Sequence, residues 1–187
     1  MVVFWNQKET VTSIYEGIRR ANTDKEQIKA ILNYYNPIGS TRYVFGATSK
    51  AVYPTQKSHV NFVVADTDSW EQIAAKTLEE LPQVVRYVKN HFLDFKIPYL
   101  VGGVEHLYVP DFIAVVKTTS GQEVNLIIEI SGMSNDRLGH KDFKRKYVKD
   151  YWLPAANNLE TYGVWDFVEV SDIDNIKSIL THKINSL

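Results

Sequence analysis

There is no cysteine in the 187 residues, which excludes disulfides, zinc–thiolate sites and thiol nucleophiles. No apolar run approaches the length of a membrane-spanning helix and no signal peptide is visible, so the chain reads as cytoplasmic. Phosphate cradles are missing too: neither a Walker A sequence nor G-x-G-x-x-G occurs, which excludes a nucleotide-driven motor within these residues. No H-x-x-x-H or H-E-x-x-H spacing offers a zinc site, and His59, alone on an expected strand, reads as structural. Excess positive charge is also lacking. The formal net charge is −1, whereas phosphate neutralisation dominates the affinity of a free-standing nucleic-acid binder. With 44% hydrophobic and 23% charged residues and no internal repeat, what remains is an ordinary globular composition, long enough to bury one core without staples.

Residues 109–152 are the stretch around which the rest is organised. They read V-P-D-F-I-A-V-V-K, a Gly-containing turn, E-V-N-L-I-I-E-I-S-G, a polar link, and H-K-D-F-K-R-K-Y-V-K-D-Y-W. Two apolar runs of strand length each carry one carboxylate where a buried strand ordinarily carries none, Asp111 and Glu129. With a side-chain period of two, Asn125, Ile127, Glu129 and Ser131 share one face of the second run, and Asp111 shares a face with Ile113 and Val115. An antiparallel hairpin would bring the two acids to one face near one sheet edge. Paired oxygens there suit a hard divalent cation, Mg²⁺ by default and Mn²⁺ as a substitute. The same spacing also fits Asp111 as a turn cap after Pro110 and Glu129 as half of a core salt bridge.

The third run has helical period. At about 100° per residue, Phe143, Tyr147, Val148, Tyr151 and Trp152 form one apolar face with Lys144 near its centre and Lys141 at its edge. A lysine in a core-facing stripe needs an anionic partner, and Asp111, Glu129 or a bound phosphate would serve; a lysine snorkelling from the rim is the other reading. Lys141, Lys144, Arg145, Lys146 and Lys149 fall within nine residues. Such a patch fits contacts to a DNA backbone through Lys141, Arg145 and Lys149, and equally a solvated helix face.

Pro110-Asp111 and Glu129 on a central hairpin resemble the mark of the PD-(D/E)XK nuclease fold. The wider text, W-E-Q after A-D-T-D-S, Y-V-K-N-H-x-L-x-F-x-I-P-Y, Y-x-P-D-F-I, L-I-I-E-I, K-x-x-K, W-L-P-A-x-N-N and Y-G-x-W-D-F-V-E-V, is similar to the C-terminal endonuclease region of the Res subunit of type III restriction enzymes and related helicase-nuclease proteins. The resemblance spans residues 38–173. It implies a Mg²⁺-dependent endodeoxyribonuclease acting on double-stranded DNA, joined to a helicase/ATPase region and partnered by a methyltransferase subunit. It further implies Asp111 and Glu129 as metal ligands, the Ile130 carbonyl as a further ligand and Glu71 as an auxiliary acid, although a first-turn glutamate also satisfies a helix dipole. Where the motif has lysine two residues after the glutamate, this chain has Ser131. The resemblance to relatives with K-x-x-K on the following helix implies that Lys144, or else Lys141, takes over that role. A nuclease fold kept for DNA binding or subunit contacts, without catalysis, is the alternative that Ser131 favours.

Along the chain, residues 1–8 read as an edge strand, 10–21 and 24–35 as helices, and 42–45 and 59–65 as strands around a polar stretch at Tyr53-Pro54-Thr55. Tyr34 and Tyr35 read as packing residues. The cluster Asp66-Thr67-Asp68-Ser69 caps a helix running towards His91, kinked or split at Pro82, with Val84, Val85 and Val88 on its apolar face. Runs 96–101 and 105–109 flank Gly102-Gly103 as a hairpin arm; 163–170 reads as a strand and 172–184 as an amphipathic helix. The expected fold is α/β (α+β), a restriction-endonuclease-like α-β-β-β-α-β core over 66–187, with 1–65 as a helical and strand extension packed on it.

Overall fold

A computed structural model of the chain describes residues 30–32, 38–66, 69–101, 104–131 and 140–187. The edge strand expected at 1–8, the helix at 10–21, and that at 24–35 with Tyr34 and Tyr35 lie outside them, save 30–32, which carry neither helix nor strand. Among the described residues no helix is long and apolar enough to cross a membrane.

The chain is an α+β protein built on a four-stranded sheet. Its strands are β3 (Val84–Lys89), β6 (Phe112–Lys117), β7 (Glu123–Ile130) and β8 (Val164–Val170), side by side in that order. β3 with β6 and β6 with β7 run antiparallel, and β7 with β8 parallel. Two shorter pairs stand apart from it, β1 (Val52–Pro54) with β2 (Phe62–Val64), and the arm β4 (Ile97–Val101) with β5 (Val104–Tyr108).

The β6–β7 turn closes through Thr118, whose amide reaches the Gln122 carbonyl at 2.9 Å, and through Gly121 at φ +86°, a conformation glycine adopts without a Cβ clash. A parallel β7–β8 pair cannot be joined by a tight turn. The crossover is a continuous helical segment: α2 (His140–Tyr147), a π turn (Val148–Trp152) and α3 (Leu153–Asn157). Pro154 has no N–H to continue the α register, and the chain widens into the π turn immediately before it.

β7 is apolar without alternation because both its faces are covered. Leu126 and Ile128 join the first core cluster with Phe112 and Ala114, beneath α1 (Trp70–Glu80) and α4 (Ile176–Asn185). Ile127 and Phe167 face the other way, into a second cluster with Ile97, Tyr99 and Tyr108 of the arm and Val148 and Leu153 of the crossover.

Three expectations are corrected. The helix expected to run to His91 stops at Glu80, and residues 84–89 form the edge strand β3. Pro82 sits in the intervening turn, and a bulge between Val84 and Arg86 shifts the register so that Val84, Tyr87 and Val88 are all buried, a spacing that imitates a helix. The strand expected at 42–45 is a single 3-10 turn, Thr41–Tyr43, capped by the Ser40 side chain accepting from the Arg42 amide. The strand expected at 59–65 shrinks to Phe62–Val64, and its partner Val52–Pro54 falls in the stretch read as a polar separator. His59 Nδ1 lies 2.9 Å from Thr41 Oγ1.

Val63, fully buried, and Ala65 belong to the first core cluster, so the β1–β2 pair contributes to the core rather than merely resting on it. Val63→Ala is expected to lower the unfolding free energy by about 2 kcal/mol, measured by urea denaturation; a neutral result would make the pair a dispensable attachment.

Candidate active site at the strand ends

The β6–β7 register pairs Phe112 with Ile128. One further step places Asp111 opposite Glu129, and on the other side of β7 the parallel register pairs Glu129 with Glu169. Three carboxylates therefore form a row across the ends of β6, β7 and β8. The row lies on the face that carries the second core cluster, since Asp111 alternates with Phe112, which faces the first.

Asp111 is held by backbone. Its Oδ2 accepts from the Ile130 amide at 2.7 Å, and its carbonyl accepts from the Asn90 amide at 2.8 Å. The Asn90 side chain donates to the Pro110 and Phe95 carbonyls at 2.9 and 2.7 Å and accepts from the Phe95 amide at 3.2 Å. That bracing spans a loop in which Phe92 and Asp94 take φ of 60° and 62°, strain that must be held by its surroundings.

Glu129 is buried at 7% exposure. Its Oε1 forms an ion pair with Lys144 Nζ, and its Oε2 accepts from the Tyr108 hydroxyl at 2.8 Å. The Lys144 ammonium also lies 4.7 Å from the centre of the Tyr108 ring, within cation–π range. Lys141 stands one turn earlier on α2; the ammonium that reaches Glu129 is that of Lys144. Ser131 Oγ donates to Glu169 Oε1 at 2.5 Å, and Arg145 reaches Glu169 Oε2 at 3.3 Å and Asp142 at 2.7 Å. Arg145, expected at a DNA backbone, is thus engaged by two acids of its own chain. Lys149 stands 5.9 Å from the Phe167 ring. The apolar face expected on this helix is narrower than its wheel: Phe143 and Tyr151 are half exposed, the latter displaced by the extra residue of the π turn.

Glu71 stands apart. It occupies the first turn of α1 and lines a small cavity with Lys50, Val64, Ala65, Asp66, Lys89 and His91. Lys89 Nζ donates to the Val64 carbonyl at 2.6 Å. Burial lowers the pKa of Lys89, against the opposing pull of Glu71 and Asp111. His91 is also lowered, by burial and then by Lys89 and Lys50. Among the described residues no three His, Asp or Glu side chains are placed to hold a metal together. The charge of Glu71 contributes to the pKa of Asp111.

Asp111 is pushed up to about 6, first by burial and then by Glu129, with the Ile130 amide opposing and Glu71 adding to the rise. Buried Glu129 has Lys144 for a counter-charge, whereas half-buried Asp111 has the field of Lys89 and the Ile130 amide. An all-oxygen donor set fits a hard cation: Asp111, Glu129 Oε1, and the Ile130 carbonyl. In an extended strand the N–H and C=O of one residue point to the same edge, so the Ile130 carbonyl is directed to the Asp111 side, as its amide is.

Tyr108, Glu169 and Asn90 are site residues that sequence reasoning missed. Glu169 carried the signal that revealed Glu129, an acid within an apolar strand; Tyr108 reads simply as a core aromatic until the arm is folded back. Comparison with protein-family models, with curated proteins and with solved structures finds no match.

Because folding raises the pKa of Asp111, the folded state binds its proton more tightly than the unfolded state does. This group therefore lowers stability as pH rises from its ordinary 3.8 to about 6, and the penalty is complete above that. Asp111→Asn, which keeps an acceptor for the Ile130 amide, is expected to raise unfolding free energy at neutral pH by on the order of 2 kcal/mol. The gain should shrink as the pH falls towards 4 (about the ordinary value); thermal denaturation across that range checks it, and equal gain at every pH would contradict it.

Proposed function

We propose that this chain is a Mg²⁺-dependent endodeoxyribonuclease of the PD-(D/E)XK type, the cleaving part of a larger ATP-driven restriction protein related to type III systems. The observation that carries the reading is the Lys144–Glu129 ion pair. An acid, an acid and a lysine meet at the ends of two antiparallel central strands, although the position that holds lysine in the motif is Ser131. The succession α1, β3, β6, β7, α2, β8 with the mixed sheet order is compatible with the α-β-β-β-α-β core, with the arm β4–β5 inserted after its first strand.

Asp111, Glu129 and the Ile130 carbonyl would hold the ion, which supplies Lewis acidity, lowering the pKa of a bound water and offsetting charge on the phosphate. Lys144 supplies a positive charge beside that phosphate and a donor that orients the attacking water. The Tyr108 ring keeps this ammonium within reach of the site. Glu71, near enough to raise the pKa of Asp111, is the auxiliary acid in this reading. Double-stranded DNA is the substrate in this reading. With a net charge of −1 and Arg145 paired with Glu169 and Asp142, the chain by itself gives a weak grip through Lys141, Arg145 and Lys149, and the helicase/ATPase region and a methyltransferase subunit would deliver the DNA.

A silent domain used for DNA binding or subunit contacts is the second reading. It is favoured by the self-sufficiency of the cluster, in which Glu169 and Glu129 are each met by two donors of the same chain.

Supercoiled plasmid incubated with the chain and Mg²⁺ or Mn²⁺ separates the two. The wild type is expected to nick or linearise it. Asp111→Ala and Lys144→Gln, the latter keeping a neutral donor for Glu129, should each lose on the order of 100-fold or more in rate while circular dichroism stays unchanged. Wild-type rates in Asp111→Ala would refute the assignment.

A further inference from the structure

Tyr108 ends the second strand of the arm, a two-stranded element outside the main sheet. Only Val109 and Pro110 separate it from Asp111, so the arm and the first acid are nearly one piece of backbone. Its ring is buried in the second core cluster beside Ile97, Ile127, Val148 and Phe167, and its hydroxyl reaches Glu129 Oε2 at 2.8 Å. A rigidly packed ring gives that hydroxyl little freedom to leave. The two oxygens of Glu129 are consequently unequal. Oε2 is fixed by a donor anchored in the core, whereas Oε1 is held by Lys144, a flexible side chain about one-fifth exposed.

We propose that Tyr108 is a positioning residue that sets cation selectivity, restricting Glu129 to one-oxygen ligation and so matching the site to Mg²⁺ rather than Ca²⁺. This rests on the metal-dependent reading above. Mg²⁺ takes a small octahedral set and keeps several waters, with carboxylates binding through one oxygen. Ca²⁺ takes six to eight oxygens and readily accepts both oxygens of a carboxylate. With Oε2 occupied, the chain offers few oxygens, enough for the smaller ion and too few for the larger. A cation at Oε1 competes with the Lys144 ammonium, and the Tyr108 ring face, 4.7 Å from Nζ while the pair is formed, holds that ammonium beside the site. The hydroxyl therefore governs which ion binds, and the ring governs where the lysine goes.

The test is metal binding rather than cleavage. Mn²⁺ bound to the full chain is followed by electron paramagnetic resonance and displaced with Mg²⁺ or Ca²⁺. Tyr108→Phe preserves the ring and its packing and releases Oε2. It is expected to shift the ratio of Mg²⁺ to Ca²⁺ affinity by about tenfold towards Ca²⁺, the scale on which partners of metal ligands act. Lys144→Gln leaves the Tyr108 bond in place and removes the competing charge, so it should tighten both ions with their ratio unchanged. An unchanged ratio in Tyr108→Phe overturns the proposal, as does a Lys144→Gln variant whose ratio moves; the latter measurement stands even if Tyr108→Phe does not fold. Absence of Mn²⁺ binding by the wild type, or binding that persists in Asp111→Ala, would instead overturn the metal-dependent reading and this proposal with it.

Discussion

Glu129 carries a carboxylate in a strand covered on both faces, and a charge in such a place must be met by donors or be lost to protonation. The two donors come from elements far apart in sequence, the arm through Tyr108 and the crossover helix through Lys144. Satisfying one carboxylate therefore fixes how the arm folds back and how α2 is rotated about its axis. Leaving either charge of a buried pair without its partner costs about 3–5 kcal/mol, comparable to a good share of a domain's total stability. The geometry of the site and the docking of two elements on the sheet are in this sense one constraint.

The topology explains why the acids meet at all. β6 runs antiparallel to β7, so the residue before β6 lies beside the end of β7; β8 runs parallel to β7, so its end lies there too. Asp111, Glu129 and Glu169 are collected by strand direction alone. The parallel pair demands a long crossover, and that crossover supplies the cation. Carboxyl ends of strands, where chain direction changes across a sheet, are where open sheets commonly place ligands, because backbone groups there have run out of ladder partners. Ile130 is such a case: its amide has Asp111 Oδ2 for a partner where β6 has ended.

The hairpin, the pairing of Asp111 with Glu129 and the inward turn of Lys144 were legible because each rests on a short-range rule: a turn between two apolar runs, a period of two, and a charge inside an apolar stripe. β3 was not legible, because a bulge disguised its period and Pro82 was read as a kink within a helix rather than as the helix's end. The arm was recognised as a hairpin, but nothing local says that Tyr108 returns to Glu129, since that contact depends on packing across 21 residues of chain. Glu71 occupies the first helical turn expected of it, and its charge reaches Asp111, although no sequence period reports which side of a sheet a helix will cover.

Charge balance across the row gives the site its direction. Glu169 is met by Ser131 and Arg145, and Glu129 by Tyr108 and Lys144, whereas the carboxylate of Asp111 receives the Ile130 amide. Burial first and the charge of Glu129 second raise the pKa of Asp111 to about 6, against the Ile130 amide and the field of Lys89. The same balance includes Ser131. Residue 131 is buried at 7% exposure and faces Glu169, whose second oxygen already meets Arg145. A lysine there would place a second cation beside an acid that has one and would require a long side chain to fit where a hydroxyl now does. The ammonium supplied from α2 reaches Glu129 without disturbing Glu169. Ser131 and Lys144 thus serve neighbouring acids of the row, the hydroxyl meeting Glu169 and the ammonium meeting Glu129.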